Sequence, residues 1–510
     1  MRLLVIPLLL MSPNSFADER TEARIGPQTQ TTPNLAAASA AQAAKKASPK
    51  NGHWMFPGSW SVAYEADSGV TSAPNSTLYK DAFRQRFLTG ALYTSPLLKA
   101  ELKLSIYAYD GMSDIDATRA RTQPVDLHKA YVQYLSPVGL WRLGANESKW
   151  GLGLVAGGRS AYPTLTHHYH FETPADTTAG LAYALKLGAW TLALNGAFVL
   201  SDENAAFLDG DRAQQGVLVI RYQPKTTDWV GLYGAYRRQR DADDSTLEVR
   251  VIDLAAGIER PVGAADRLRL AFEAAYLQGQ TDRSLSEAAF AAGQDTMNVQ
   301  AYGAAAIAGF ETMNRRLAIE LEGGYASADR QAEDTVLTRF TFDNNYRVGM
   351  ILLPSLLRYS HETSVNQASD TSRVGQPQRG IERLKTQGRV AGATYLNLRS
   401  SFRIGSGKTQ TGLHAGVILA ALPDGSADAY QSFRQGTPVN AFGQPSSSPL
   451  GVEFNTALTW SARLQRRYAL RLSLEGAAAQ PDSALSDGSA EPILMLRTGF
   501  VLRALEREIN

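Results

Sequence analysis

RRYALRLSLEGAAAQ, residues 466 to 480, is the stretch on which the reading of the fold turns. Tyr468, Leu470, Leu472 and Leu474 take alternate positions, and Arg467, Arg471, Ser473 and Glu475 lie on the other side. A period of two belongs to a β-strand, whose successive side chains point to opposite faces. In a soluble sheet the apolar face is covered by a second layer and the polar face meets water. The fold follows from whether the chain contains such a layer.

The same alternation recurs along the chain. LLKAELKLSIYAYDG sets Leu98, Leu102, Leu104 and Ile106 against Lys99, Glu101, Lys103 and Ser105. DRLRLAFEAAYLQG sets Leu268, Leu270, Phe272 and Tyr276 against Arg267, Arg269 and Glu273. RRLAIELEGGYAS opposes Leu317, Ile319, Leu321 and Tyr325 to Arg316, Glu320 and Glu322, and ATYLNLRSSFRI opposes Leu396, Leu398, Phe402 and Ile404 to Asn397, Arg399 and Arg403. Short breaks at Gly188-Ala189, Pro224 to Asp228 and Pro261 to Asp266 join neighbours as antiparallel pairs. The pattern from Trp60 to Arg503 predicts about 16 to 18 strands. No helical layer accompanies them.

A sheet of this size without a covering layer either folds over itself or closes into an outer-membrane barrel, with lipid on the apolar face and the charged face inside. Alternation is common to both. Three features favour the barrel. MRLLVIPLLLMSPNSFA, residues 1–17, reads as an export signal, with Arg2, an apolar run from Leu3 to Met11, and a small-x-small site ending at Ala17. Long connections at Gly158 to Thr177, Tyr359 to Gly388 and Pro423 to Leu450 contrast with the tight turns. Trp190, Trp229, Tyr276, Tyr325, Trp460 and Tyr468 fall near strand ends, where an aromatic girdle belongs. The expected organisation is a signal at 1–17, a flexible periplasmic leader at 18–55 and an all-β transmembrane antiparallel barrel at 56–510.

Composition removes other classes. Among 510 residues 44% are apolar and 20% charged, and the formal net charge is only +2, so nothing points to nucleic acid. The absence of cysteine excludes a lipid-anchored Cys, disulfides and thiolate metal sites.

LWRLGANESKWGLGLVAGGR at 140–159 and FTFDNNYRVGMILLPSLLR at 340–358 resemble segments of large porin-like outer-membrane barrels of Gram-negative bacteria. More distantly they look like alginate-export-type barrels. The resemblance implies a channel for small polar solutes or an exported polymer. The last strand, PILMLRTGFVLRALEREIN, is similar to the closing strand by which the barrel-assembly machinery recognises such proteins, with Leu494, Leu496, Phe500 and Leu502 on one face.

Catalytic chemistry is sparse and no cofactor is implied. His167, His168 and His170, with Glu172 and Asp176, have imidazoles suited to Zn, Ni or Cu but no regular spacing, and read as a polar loop. GLGLVAGG at 151–158 lacks phosphate-loop spacing and reads as a Gly-rich loop leaving a strand. His414, in TGLHAGVIL, has no sequence-local nucleophile to serve as its partner in lipid hydrolysis.

Function is expected inside the barrel. The inward set comprises Lys99, Lys103, Arg142, Arg267, Arg269, Arg316, Arg399, Arg403, Arg467, Arg471, Arg497 and Arg503, against Glu101, Glu273, Glu320, Glu322, Glu453 and Glu475. Charged rows facing a lumen suit polar solutes, and the basic excess suits anions. Pro354 cannot donate to a central ladder, and about thirty polar residues follow it before strands resume at Val390. Residues 354 to 388 are expected to fold inward as a constriction, with Arg358, Arg373, Arg379, Arg383 and Lys385 facing solutes. The alternatives are a plugged structural or surface-binding barrel and an outer-membrane hydrolase. Outer-membrane lipid is the expected surrounding.

Overall fold

The computed structural model describes residues 52–504, apart from 111–124, 158–175, 373–385 and several shorter stretches. The strands run β1 His53–Met55, β2 Gly58–Asp67, β3 Val70–Ala73, β4 Ser76–Leu78, β5 Asp81–Thr94, β6 Leu98–Asp110, β7 Val125–Ser136, β8 Gly139–Glu147, β9 Thr177–Leu187, β10 Trp190–Ser201 and β11 Arg212–Lys225. They continue with β12 Asp228–Arg240, β13 Thr246–Val262, β14 Asp266–Thr281, β15 Met297–Thr312, β16 Leu317–Ala326, β17 Val336–Leu337, β18 Thr394–Ile404, β19 Thr409–Ala421, β20 Pro449–Leu464, β21 Tyr468–Pro481 and β22 Ile493–Ala504.

Each long strand pairs antiparallel with its neighbour in sequence, and β16 passes over the short β17 to pair with β18. The sheet closes because β2 pairs with β5 on one side and, from Gly58↔Ala504 to Asp67↔Met495, with β22 on the other. Eighteen strands form this ring, at the upper end of the sequence expectation. Closure satisfies every strand edge, which a backbone in hydrocarbon requires. β1 extends the pairing of β5 below the break at Phe56-Pro57, and β3 with β4 forms a separate hairpin.

The opening stretch behaves as its pattern dictates. Tyr468, Leu472 and Leu474 are exposed on the outside of β21, whereas Ser473 and Glu475 are buried within. The same division holds in β6, β14, β16 and β18, where Leu102, Phe272, Leu321 and Leu398 are exposed, and the exposed apolar side chains recur on the outside of strands all round the ring. A surface of this extent fits lipid rather than water. The protein is a transmembrane β-barrel of the outer-membrane type.

Aromatic pairs mark its two edges. Near the short turns Trp141 lies 4.5 Å from Tyr183 and Trp190 lies 4.8 Å from Tyr222, by ring centroids. Toward the long loops Tyr302 stacks on Tyr325 at 5.8 Å, with Tyr236 and Tyr276 also outward. Trp229 departs from the expected girdle. It shares its side of β12 with Tyr233, faces inward and is 4% exposed.

Between strands of the ring, every connection of two to four residues lies at one end, with the start of β2 and the end of β22, and every longer connection lies at the other. The long-loop end is the external one in barrels of this type. The expected signal and most of the leader lie outside the described residues, as do His167, His168, His170 and Glu172.

Candidate functional site

Two long loops turn back into the barrel instead of outward. The first follows β8. Gly151 and Gly153 have φ of 53° and 97°, a left-handed backbone that glycine adopts without strain. The turn aims three successive N–H groups at one inward carboxylate: Leu152 and Gly153 donate to Glu273 Oε2, the latter at 2.9 Å, and Leu154 donates to Oε1 at 2.9 Å. A Cβ on Gly151 would run into that carboxylate. Trp150 fixes the loop to the wall beside it. Its indole Nε1–H donates to Asp253 Oδ1 at 2.9 Å, and its ring stacks on Tyr233 at 5.7 Å and meets Trp229 edge-on at 6.2 Å. That contact explains the inward Trp229. The Gly-rich loop is therefore an anchored element as well as a strand exit.

The second loop, between β17 and β18, repeats the device. Gly349 has φ of 75°, and the N–H groups of Met350, Ile351 and Leu352 donate to Glu453 on β20, the last two at 3.1 and 2.8 Å. A Cβ on Gly349 would stand 2.8 Å from Glu453 Oε2. KWGLGL at 149–154 and RVGMIL at 347–352 are thus two versions of one anchor, a left-handed glycine followed by three amides on a buried glutamate. Beyond it Leu352–Leu357 forms a π-helical turn containing Pro354, which continues into a helix at Arg358–Ala368. Leu352, Leu353, Leu356 and Tyr359 pack with Ile418, Ala477, Ala479 and Met495 of the inner wall. Of residues 354 to 388, Leu356, Leu357 and Tyr359 pack in the cluster on the inner wall, and the helix runs on from there to Ala368.

The loops meet inside the bore. The Gly157 N–H donates to Asp343 Oδ2 at 2.8 Å, the Asp343 N–H donates to the Leu154 carbonyl at 2.8 Å, and Asn345 Nδ2 donates to the Gly157 carbonyl at 2.9 Å. Tyr346 joins this partition to the wall by donating to Glu322 Oε1 at 2.7 Å, which also accepts from Tyr395 at 2.7 Å. On the long-loop side of the partition lies a cavity of about 780 Å³, bounded by Asp176, Asp202, Asp241, Asp343, Arg237 and Arg283, among others. Burial alone would raise Asp202 in its loop, yet Arg237 and the N–H groups of Asn204 and Ala205 hold it below the ordinary carboxylate range. Burial is likewise overcome at Asp241 by its bonds to Arg283.

The predicted inward residues divide by environment. Glu273 and Glu453 serve the loops. Arg399, 1% exposed at its side chain, is held between Glu320 and Glu322, and Arg497 between Glu65 and Glu475. Arg269 reaches Glu320 at 2.7 Å, and Arg267 pairs with Glu259. On β6 to β8, Lys99 and Lys129 flank Glu101 at 3.4 and 3.5 Å, while Arg142 donates to Gln133 at 2.8 Å and lies 4.6 Å from the Tyr131 ring. Lys103 and Arg471 are half-buried, and Arg403, Arg316 and Arg503 are exposed. Arg358 does not present its charge to solutes. It is 5% exposed and bonded to Glu362 at 3.2 Å, because the apolar run before it carries it into the packed loop. Arg373, Arg379, Arg383, Lys385 and Arg467 lie outside the described residues. His414 is buried on β19, 3.3 Å from Thr459 Oγ1. Among the described residues no cluster of His, Asp and Glu has metal-binding geometry.

One group in the second loop ties its packing to pH. Burial, assisted by Arg339, pushes His361 down to about 3. The folded loop keeps the ring neutral while an unfolded one takes up a proton below about 6.5. The contribution of His361 is therefore complete above about pH 6.5 and is lost progressively as pH falls toward 3. Amide protection across residues 350–368, taken relative to the intrinsic exchange rate at each pH, is expected to fall between pH 7 and 4 in the wild type and to change less in a His361→Leu variant. An equal loss of protection in both would remove His361 as the cause.

No family model and no curated protein matches the chain. Solved structures do. They include the outer membrane protein OprD from Pseudomonas aeruginosa, at 12% identity and a TM-score of 0.49 over 90% of this chain and 94% of that one. Pseudomonas aeruginosa OccK2 (OpdF) matches at 11% and 0.48 over 90% and 98%, and OccK11 (OpdR) at 12% and 0.45 over 90% and 96%. The expected alginate-export-type likeness is not shown by them. The barrel assignment stands on the closed pairing of the strands and on the apolar outer wall.

Proposed function

We propose that the protein is an outer-membrane channel for small polar solutes, with a preference for anions, narrowed by its two inward loops. What supports this reading is the placement of basic side chains on the inward faces, where several of the acids hold the loops and the wall. Glu273 and Glu453 are taken up by loop amides, and Glu322 by Tyr346, Tyr395 and Arg399. Basic side chains at Lys103, Arg269, Arg403 and Arg471 keep part of their surface open on the inward side, Arg269 while paired with Glu320, and Glu101 and Glu320 lie partly open among them. A cationic wall in a narrow bore favours anions by several kT where the dielectric is lowered by the enclosing protein.

Purified protein in a planar bilayer is expected to conduct in discrete steps, and removal of residues 362–386 is expected to raise single-channel conductance and weaken anion preference. Unchanged conductance and selectivity after the deletion would reject the loop as a constriction. A barrel closed by its own loops is the second reading, favoured by the contact of Asp343 with Gly157 across the bore. It predicts no conductance from correctly folded protein, as judged by heat-modifiable gel mobility. Transport, rather than hydrolysis, is the reading adopted, since His414 faces Thr459 inside the wall.

A further inference from the structure

The outer wall carries a shallow trough where large side chains are missing. Gly196 on β10 lies directly opposite Gly216 on β11, and Gly234 on β12 lies one row away, opposite Leu218. All three belong to the lipid-facing side of their strands, and a Cβ at Gly196 or Gly216 would meet nothing within 4 Å. Glycine weakens a strand interior, and there it often marks close approach by a ligand or another backbone. The resulting groove, of about 750 Å³, crosses β8 to β13. Six strands at about 4.8 Å spacing give it a length of about 24 Å. Trp141 and Tyr183 bound it near the short turns, Tyr236 and Arg250 toward the long loops.

Its upper end is basic. Arg250 pairs in register with Tyr236, and Arg238 lies one outward position higher on β12. Both are exposed. Arg240 and Arg212 follow above them, the former 2.7 Å from Asp244 and the latter 4.4 Å from the centroid of the Phe207 ring. Glu248, opposite Arg238, is the acid on this face of the register. An apolar groove that ends under outward arginines, at the level of the outer aromatic belt, matches an amphiphile with an acyl chain and an anionic head. The long-loop end faces outside, which places that head in the outer leaflet.

We propose that this surface binds a phosphorylated outer-leaflet glycolipid of the lipid A type, with one acyl chain across Gly196, Gly216 and Gly234 and a phosphate held by Arg238 and Arg250. Arginine suits the role because its planar guanidinium donates two parallel hydrogen bonds to phosphate oxygens. The site is separate from the bore and stands whether or not the protein conducts.

The test uses full-length protein in phosphatidylcholine nanodiscs containing bisphosphorylated lipid A, with retained lipid counted by native mass spectrometry. The wild type is expected to keep lipid A through delipidating washes, and R238A/R250A to retain about tenfold less or lower. Gly216→Phe, which fills the trough, is expected to lose lipid A while keeping both arginines, and Glu248→Gln to retain more than the wild type. Should Gly216→Phe fail to fold, as read by heat-modifiable mobility, the arginine pair decides the matter. Equal retention by R238A/R250A would overturn the proposal. Equal binding of dephosphorylated lipid A, or a dimer cross-linked through the trough, would do the same.

Discussion

Replacing Glu453 with alanine is expected to release the second loop and raise single-channel conductance several-fold while leaving the barrel intact. The carboxylate is fully buried and accepts the N–H groups of Met350, Ile351 and Leu352. A hydrogen bond to a charged group contributes roughly 1.5–3 kcal/mol, and each buried amide left without an acceptor costs about 1–3 kcal/mol. Losing three together costs several kcal/mol on the order of the stability of a whole domain, and the cost falls on the loop. The wall bears little of it, because β20 keeps its ladders to β19 and β21 on either side of Glu453. Heat-modifiable mobility should therefore persist while conductance rises. Glu453→Gln, which keeps an acceptor oxygen but no charge, should fall between the two. Wild-type conductance from a folded Glu453→Ala barrel would show that the loop is held by its apolar packing instead.

That packing was also the part of the site least legible in the sequence. Alternation reports which side of a strand is apolar, so the barrel, its outer wall and the inward places of Glu273, Glu320, Glu322, Arg399 and Glu475 follow from residue type and parity. It does not report what fills the inside. A signal was nevertheless present. Ala271, Ala275, Ala301, Ala305, Ala477 and Ala479 occupy inward positions where a water-filled bore would call for polar side chains, and all six are buried in the cluster that holds the second loop. Small apolar residues on the lumen side mean that another segment lies on them. Trp229 misled for a related reason. Position near a strand end alone puts a Trp in the girdle, whereas parity with Tyr233 sends this one inward, under Trp150. The equivalence of KWGLGL and RVGMIL was visible only once Glu273 and Glu453, 180 residues apart by 453 − 273, were seen to accept the same three-amide turn.

Substituting Arg269, Arg403 and Arg471 together with glutamine is expected to lower anion over cation permeability by about threefold or more at low salt. The three lie on the inward side of their strands with part of their surface exposed, Arg269 in its pair with Glu320, and the proposed selectivity assigns their charge to passing solutes. Arg399 and Arg497 form the contrast. Each is enclosed between two glutamates, and removing either leaves buried carboxylates uncompensated, a loss that falls on folding rather than selectivity. Reversal potentials in a potassium chloride gradient measure the difference. The Debye length shrinks from about 10 Å at 0.1 M to about 3 Å at 1 M, so a preference set by these arginines should fade as salt rises and should already be weak in the triple variant. The bland account, in which inward Arg and Glu cancel across strands, predicts little preference in the wild type and no response to the substitutions. The outward pair R238A/R250A supplies the geometric control. It removes as many as two positive charges from the same barrel but on the lipid side of the wall, and selectivity should stay where it was. A shift there equal to that of the inward variant would mean that net charge, and not the placement of arginine inside the bore, sets which ions pass.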